Sequence, residues 1–471
     1  MSTLPHIQIA PGRRYFMAQD GSPFLVIGHN EAMSWPGLAP LFRHHDIAGA
    51  ERYISMLAAY GITVIRLMLE YFDEDTWFFE EQAGVPNPST VECWDALIKL
   101  CERHGMRLLV VFWDTFHMVQ RWGRHPYAAA SRSFSNPVHF CTSPDALDLQ
   151  KHRIAFFVDR WGGSGAVFGY ELMNEIGPEW GGSVHEQSNW ISAIASFTRE
   201  RELAKWGKNH LLTVSCFGPS PTNGYADLIF RHPELDFSTT HVYDFGTIDN
   251  PENTIGCAIT MASAVRYAAQ QSGNSRPYID SENGPIHLYL DLKRQLPDEV
   301  DAEYYHNIAW AHLASGGAGS GMRWPFRHPH CLTTEMHKCQ RAMANFASSI
   351  DWVRFAPHPV PPQVNITCAG RTLPLLVFGC FDSSQMILWL LRDSRRLTRS
   401  EPLPASEAFF PDLEPGTYSI AFWDTRSGTA CQRSKLCHPG GRARLGVPSF
   451  ERDLAISISK LTCCTEGLGD F

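Results

Sequence analysis

Short apolar runs alternate with amphipathic stretches through most of the chain, and this alternation constrains the fold more than any other feature. Eight runs follow one another, at residues 24–29, 62–68, 106–113, 167–173, 211–217, 237–243, 277–281 and 321–326. Helical spacing is found in the stretches at residues 46–60, 92–104, 144–161, 185–206, 255–271 and 301–315. Strands that are apolar on both faces and separated by helices are typical of a parallel sheet. We therefore predict an α/β fold, a (β/α)8 TIM barrel.

An open doubly wound sheet is the alternative to the barrel. That fold usually has a glycine-rich turn after its first strand, whereas the first run here continues as Gly28-His29-Asn30-Glu31-Ala32. The barrel is therefore favoured. A further helical stretch at residues 334–352 is expected to close it.

The pattern changes beyond residue 352. Pro357, Pro359, Pro361 and Pro362 predict a stiff linker. Strand-like runs follow at residues 364–368, 373–381, 386–392, 417–423 and 454–459. We expect two domains: a barrel with an N-terminal hairpin over residues 1–355, and a small antiparallel β-sandwich over residues 356–471.

The composition limits the classes of partner that the chain is expected to bind. The net charge is −9, with 40 Lys and Arg against 49 Asp and Glu, which disfavours nucleic acid. No apolar run reaches the ~18 to 20 residues that span a bilayer, so no membrane segment is expected. The first residues lack the features of a secretory signal, and the 13 cysteines form no CxxC pair. We expect a cytoplasmic protein, or a secreted one if a leader has been removed. The sequence leaves open whether the chain forms a homo-oligomer.

Two carboxyl groups follow runs that should end at the mouth of the barrel, where barrels carry their reactive groups. Glu175 follows the fourth run and Glu282 follows the seventh. Asp280 shares a face with Glu282, but only the later residue is expected to reach the mouth. Two opposed carboxyls suit glycosidic bond cleavage, in which one donates a proton to the leaving oxygen and the other attacks the anomeric carbon.

Neighbouring polar residues fit the same chemistry. Arg66 is expected near Glu282, where a positive charge keeps a carboxyl ionised. Tyr243 is expected to hold the same carboxylate through its hydroxyl, and Asn174 to donate to a sugar hydroxyl. Burial away from cations should keep Glu175 protonated.

Several motifs resemble clan A glycoside hydrolases, family 5 in particular. Glu-Leu-Met-Asn-Glu at residues 171–175 is similar to the acid/base strand of that family. The resemblance implies that Glu175 is the acid/base and Glu282 the nucleophile. Residues 61–66 are similar to the strand-two arginine segment, and residues 241–243 to the strand-six His-x-Tyr motif.

Further positions extend the resemblance and qualify it. Trp324 falls where the strand-eight aromatic residue of the family floors the sugar site. Trp113-Asp114 and residues 136–144 are similar to the mannan-acting branch. The family's strand-three histidine is not cleanly matched, and Asp114 or His117 can take its place. Asn283, instead of Phe or Trp, follows Glu282.

The function expected from these residues is retaining β-glycoside hydrolysis, acting on β-mannosides or short β-1,4-linked oligosaccharides by double displacement. An endo-β-1,4-mannanase or a β-glucanase of the same fold is the alternative. A non-catalytic carbohydrate-binding barrel is the alternative of another class. His241 and Trp180 complete the expected sugar contacts. No cofactor or metal is expected, since only His29 ends the first run, where barrel metallohydrolases place His-x-His.

Overall fold

A computed structural model gives the fold of the chain. It describes residues 4–72, 77–130, 134, 136–245, 248, 253–286, 296–325, 327, 329–358, 363–395 and 401–461. Pro359, Pro361 and Pro362 of the predicted linker, and Phe326 at the end of the eighth apolar run, lie outside these residues. No helix in the described ranges is both long enough and apolar enough to cross a bilayer.

The first part of the chain contains thirteen described strands and ten described helices. The strands are β1 (Ile7–Ile9), β2 (Phe16–Ala18), β3 (Pro23–Phe24), β4 (Val26–Glu31), β5 (Val64–Met68), β6 (Glu80–Gln82), β7 (Val85–Pro86), β8 (Arg107–Val111), β9 (Val167–Glu171), β10 (Leu211–Thr213), β11 (Ser238–Phe245), β12 (Tyr278–Ile286) and β13 (Gly319–Arg323). The helices are α1 (Ala39–His44), α2 (Ile47–Ala59), α3 (Pro88–His104), α4 (Thr115–Arg121), α5 (Pro144–Trp161), α6 (Val184–Trp206), α7 (Tyr225–Phe230), α8 (Gly256–Gln271), α9 (Asp298–Ala314) and α10 (Thr334–Ala347). Short 3-10 helices cover Trp122–Arg124, Pro126–Ala129, Pro137–His139 and Pro178–Trp180.

Eight parallel strands form the predicted barrel. Their order in the sheet is β10-β9-β8-β5-β4-β13-β12-β11, and each of them overlaps one of the eight apolar runs. Beyond β10, a parallel bridge joins Phe217 to His241 of β11 and brings the two edges together. The predicted (β/α)8 architecture is confirmed, and with it the placement of all strand ends at one rim.

Helix boundaries follow local capping chemistry. The side chain of Ser143 accepts a hydrogen bond from the backbone of Ala146 at the start of α5, and Pro144 occupies the first turn. Ser183 and Glu186 form a capping box at the start of α6. These bonds satisfy backbone donors that a helix start leaves without partners, so the strand-to-helix turns are well defined.

One strand is longer than the sequence indicates. The seventh run ends at Ser281, whereas β12 continues to Ile286 because its pairing with β11 continues beyond a register shift between Thr240 and His241. Glu282 therefore lies within the strand, opposite His241.

The C-terminal part is the predicted antiparallel sandwich. Its strands are β14 (Asn365–Cys368), β15 (Arg371–Thr372), β16 (Leu375–Phe381), β17 (Gln385–Arg392), β18 (Ser406–Leu413), β19 (Gly416–Asp424), β20 (Thr429–His438), β21 (Gly441–Val447) and β22 (Asp453–Lys460). Four of them form one sheet, in the order β15-β14-β18-β21, and five form the other, in the order β16-β17-β22-β19-β20. The sequence analysis missed β15, β18, β20 and β21; most of β20 is exposed, with Gln432, Arg433 and Lys435 near its centre, so it lacks an apolar run.

Alternation along β17 connects the sandwich to the barrel. Met386 and Leu388 point into the apolar core between the two sheets. Ile387 and Trp389, on the opposite face, belong to the apolar core that includes the barrel helices. Both faces of β17 are thus buried, and the division of the chain at residues 355 and 356 stays a prediction.

A buried carboxylate anchors this contact. Asp453 at the start of β22 accepts hydrogen bonds from His306 of α9 and from Trp389, both at 2.8 Å, and from Thr425 at 2.5 Å. Burial by itself raises a carboxyl pKa, but His306 and Arg426 hold the pKa of Asp453 well below its ordinary value.

Replacing this carboxylate should destabilise the fold. We expect Asp453→Ala to lower the free energy of unfolding by about 3 kcal/mol, because three buried donors lose their acceptor. Urea unfolding at pH 7 measures the effect. The control Glu451→Ala removes an exposed carboxylate two residues away and should change stability by less than about 0.5 kcal/mol. Equal stability of the two variants contradicts the anchoring role.

Candidate active site

One buried guanidinium gathers the polar groups at the mouth of the barrel. Arg66 of β5 donates from Nε and Nη2 to the two carboxylate oxygens of Glu171 in β9, each at 2.7 Å. Its Nη1 donates to Oε2 of Glu282 in β12 at 2.8 Å. Arg66 is 0% exposed, and its hydrogen bonds go to side chains of the barrel.

Two amide side chains accept the remaining hydrogen bonds of Arg66. Asn30 accepts from Nη1 at 2.8 Å, and Asn174 accepts from Nη2 at 2.6 Å. The amide nitrogen of Asn174 donates in turn to Asp114 at 2.7 Å. Strands from four places in the sequence are thereby tied together at the rim, which fixes the position of Asn174 next to Glu175.

Glu175 stands on a strained turn. Its φ of 50° lies in the left-handed region, which a residue with a side chain rarely adopts. Hydrogen bonds hold the turn in place: the backbone N–H of Glu175 donates to Ser215 at 2.9 Å, and Thr115 donates to the Glu175 carbonyl at 2.9 Å. Strain that is maintained by surrounding contacts is typical of functional positions.

The two carboxyl groups converge on one histidine. Nδ1 of His241 lies 2.6 Å from Oε1 of Glu175 and 3.8 Å from Oε2 of Glu282. One ligand atom from each of the three residues lies within 4.8 Å of the others. The hydroxyl of Tyr243 donates to Oε1 of Glu282, so that carboxylate is bound on both oxygens.

The environments of the two carboxyls differ in charge. Burial raises the pKa of Glu175 to about 7, although Arg66 opposes the shift. Burial also raises the pKa of Glu282, but His241, Arg66 and the Tyr243 hydroxyl all act to lower it. Burial lowers the pKa of His241 to about 4, which makes the imidazole neutral at pH 7. The arrangement favours a proton on Glu175 and an anion on Glu282.

The same three residues are close enough to be considered as cation ligands. The 2.6 Å between His241 Nδ1 and Glu175 Oε1 is a hydrogen-bond distance, and two ligands on a tetrahedral zinc ion, each ~2.0–2.1 Å from the metal, stand farther apart. Both oxygens of Glu282 are occupied by Arg66 and Tyr243. This geometry suits shared protons better than a metal.

The structure brings together most of the residues that the sequence singled out. Glu175, Glu282, Arg66, Asn174, Asp114, His241 and Tyr243 form the hydrogen-bonded cluster described above. Trp324 is half-buried after β13, with its ring edge-on to Trp35 at 4.8 Å. The side chain of His117 lies outside the described part of the chain.

Two predicted sugar contacts need correction. Trp113 is 1% exposed and Trp180 is 0% exposed, so neither ring offers a face to a ligand. Trp180 instead donates from its indole N–H to Thr115 at 2.6 Å and so supports the turn at Glu175. Trp113 packs against Phe140 in the core.

Sequence reasoning also missed residues at this site. Glu171 and Asn30, which bind Arg66, were not selected, although a charged residue inside an apolar strand needs a partner. Phe217 was taken as the end of a strand, but it is 49% exposed at the rim and stacks on Tyr243 at 6.0 Å. A cavity of about 320 Å3 opens between Phe217 and Glu175.

Comparisons with known proteins bear on the fold. No protein-family model matches the chain, and no curated protein matches it. A solved structure described as a glycoside hydrolase aligns with a TM-score of 0.61 at 14% identity, covering 97% of each chain. A family 5 glycoside hydrolase from Bacteroides vulgatus aligns with a TM-score of 0.59 at 11% identity, covering 97% of this chain and 94% of that one.

A third solved structure covers less of the chain. The family 5 mannosidase from Rhizomucor miehei aligns with a TM-score of 0.51 at 18% identity, covering 69% of this chain and 86% of that one. The chain therefore has the fold of family 5 glycoside hydrolases, as the sequence resemblance implies.

The raised pKa of Glu175 has a consequence for stability. Between pH 4.5 and 7 the folded wild type holds a proton that the unfolded chain releases, so its stability falls as pH rises through this window. Glu175→Gln cannot titrate. We expect this variant to be more stable than the wild type by about 2–3 kcal/mol at pH 8, with little difference at pH 4.

Urea unfolding at both pH values measures this difference. Glu200→Gln, which removes an exposed carboxylate on α6, serves as the control and should follow the wild type at both pH values. A Glu175→Gln variant whose stability relative to the wild type is the same at pH 4 and pH 8 contradicts the raised pKa of Glu175.

Proposed function

We propose that the chain is a retaining β-glycoside hydrolase, with Glu282 as nucleophile and Glu175 as acid/base. The observation that carries the proposal is the meeting of these two carboxyls at the rim, within 4.8 Å oxygen to oxygen. Retaining glycosidases hold their carboxyls ~5 to 5.5 Å apart, whereas inverting enzymes leave ~6.5 to 9.5 Å for a water molecule.

The first step of the reaction uses the charge difference between the carboxyls. Oε2 of Glu282, held by Arg66, attacks the anomeric carbon while Glu175 transfers its proton to the glycosidic oxygen. The leaving group departs with that proton, and the sugar remains bonded to Glu282. Tyr243 and Arg66 keep the attacking carboxylate oriented. This orientation lowers the entropic cost of reaching the transition state.

The second step reverses the role of Glu175. Now an anion, it takes a proton from water as the water attacks the anomeric carbon, and the bond to Glu282 breaks. Two displacements at one carbon return the β-configuration. Because the two carboxyls supply both nucleophile and proton, the proposed reaction uses neither a metal nor a cofactor.

We propose β-mannosides as the substrate class. The similarity of residues 113–114 and 136–144 to the mannan-acting branch supports this choice, and the Rhizomucor miehei neighbour is a mannosidase. Endo-β-1,4-mannanase and β-glucanase activities are the competing candidates within the same chemistry.

A buried ion cluster favours exo action. Arg153 of α5 binds Glu70 at 2.8 Å and Glu80 of β6 at 3.1 Å, and His125 binds Glu70 at 3.1 Å. These contacts fasten the β6–β7 hairpin and the 3-10 helices at residues 122–129 to the barrel. A wall fixed beside the ends of β5 and β8 would close one end of the cleft, so we propose cleavage from a chain end.

The stereochemistry of the first product tests the reaction type. We expect hydrolysis of at least one of mannobiose, cellobiose and mannosyl-N-acetylglucosamine, with the β-anomer appearing first by proton NMR. The first appearance of the α-anomer would mean inversion. Binding of a sugar without any product after long incubation would favour the non-catalytic carbohydrate-binding barrel.

Substitution of the nucleophile tests its identity. We expect Glu282→Gln to lose nearly all turnover, at least about 10³-fold in kcat, while still binding substrate, because the amide cannot attack. Glu200→Gln is the control: it removes an exposed carboxylate on α6, so this variant should keep its turnover. Retained turnover in Glu282→Gln removes Glu282 from the role.

A further inference from the structure

A cavity of about 320 Å3 lies beside Glu175, between the loops that follow β9 and β10. Its volume is at the lower end of the ~300–1,000 Å3 typical of ligand pockets. The residues that line it are Glu175, Ile176, Gly177, Pro178, Glu179, Cys216, Phe217, Ser220, Pro221, Thr222, Asn223 and Tyr225. Glu175 is therefore the link between this cavity and the proposed reaction.

The position of the cavity assigns it to one side of the glycosidic bond. Glu175 lines it, whereas Glu282, Arg66 and Tyr243 do not. The acid must reach the glycosidic oxygen, and the nucleophile must reach the anomeric carbon on the other side of that oxygen. The space next to the acid and away from the nucleophile is where the leaving group lies. This step rests on the proposed function.

An aromatic ring forms one wall of the cavity. Phe217 is 49% exposed and is stacked on Tyr243, with ring centroids 6.0 Å apart and planes at 17°. Because Tyr243 is hydrogen-bonded to Glu282, the ring of Phe217 is held at a defined distance from the reacting groups. The apolar face of a sugar ring can pack on such a platform.

The charge of the cavity has one sign. Glu179 lies on the lining with its carboxylate folded against the backbone of Gly177, where an added Cβ would be 2.4 Å from Oε1. Among the described residues, no Lys, Arg or His lines the cavity, and none forms an ion pair with Glu179. An anionic group placed here would face this carboxylate without a compensating cation.

We propose that this cavity is the leaving-group subsite, that Phe217 is its stacking platform, and that Glu179 makes it select neutral or amine-bearing sugars over anionic ones. Selection is electrostatic: the Glu179 carboxylate attracts a protonated amine and repels a carboxylate or phosphate on the leaving group. The same subsite accepts the incoming sugar when the glycosyl-enzyme reacts with an acceptor other than water.

Acceptor competition tests the proposal. An aryl β-glycoside of the sugar that the enzyme accepts forms the glycosyl-enzyme, and glucose, glucosamine and glucuronate compete with water at equal concentration, pH 6.5 and low salt. We expect transfer to glucosamine to exceed transfer to glucuronate by about tenfold, with glucose between them. Equal transfer to all three acceptors in the wild type overturns the proposal without needing any variant.

Two variants separate charge from stacking. Glu179→Gln should bring the glucosamine-to-glucuronate ratio close to one, whereas Glu200→Gln, an exposed charge change on α6, should leave it unchanged. Phe217→Ala should lower transfer to all three acceptors and leave their ratio unchanged. Since the ratio is taken within one variant, changes in the acid strength of Glu175 cancel. An unchanged ratio in Glu179→Gln overturns the role of Glu179.

Release of the aryl alcohol distinguishes failure of the proposed hydrolase function from failure of the subsite assignment. If no aryl alcohol is released from any glycoside of the panel, the proposed hydrolase function fails, and the subsite fails with it. If aryl alcohol is released but acceptors do not discriminate, only the subsite assignment fails.

Discussion

The bidentate and bridging hydrogen bonds of Arg66 are the interaction on which the rest of the site depends. A guanidinium has five N–H donors, and Glu171, Glu282, Asn30 and Asn174 accept all five of them. Burial opposes the charge of Arg66, yet the carboxylates of Glu171 and Glu282 raise its pKa above the ordinary value. Four strands of the barrel are joined through this one group, so their relative register at the rim is fixed by charge as well as by backbone pairing.

The charge count around Arg66 explains why the two proposed catalytic groups differ. Arg66 donates its hydrogen bonds to Glu171 and Glu282, whereas Glu175 receives none of them and pairs with the neutral imidazole of His241. A third anion in this volume would be uncompensated, so the site keeps a proton on Glu175. The asymmetry that glycosidic cleavage requires is thus a result of where a single arginine donates its hydrogen bonds.

The parts of this arrangement that the sequence predicts are those tied to strand periodicity. Apolar runs placed the strands, and the polar residue at each strand end led to Glu175, Glu282, Arg66 and Tyr243. Periodicity does not tell whether a residue at a strand end faces the cleft or the helix layer. Trp113 was assigned to the cleft for this reason and Trp180 because its loop follows Glu175, although both pack inside.

Other features depend on contacts that no local pattern encodes. The strand β20 lies at an open edge of its sheet and is largely polar. It therefore has no apolar run from which it could be predicted. The extension of β12 through Glu282 follows from its pairing with β11, and the cavity beside Phe217 arises from two loops that are distant in sequence. The buried pair of Glu171 and Arg66 was open to prediction, because each is a charged residue in an otherwise apolar run.

In the proposed reaction Glu282 forms a covalent bond to the sugar while Glu175 transfers protons. A 2-deoxy-2-fluoro glycosyl fluoride slows the breakdown of such an intermediate, and mass spectrometry of the digested protein locates the label. We expect one fluorosugar on the peptide that contains Glu282, with activity lost in step with labelling. Labelling at another carboxylate, or turnover of the natural substrate with inversion and no label, would contradict it.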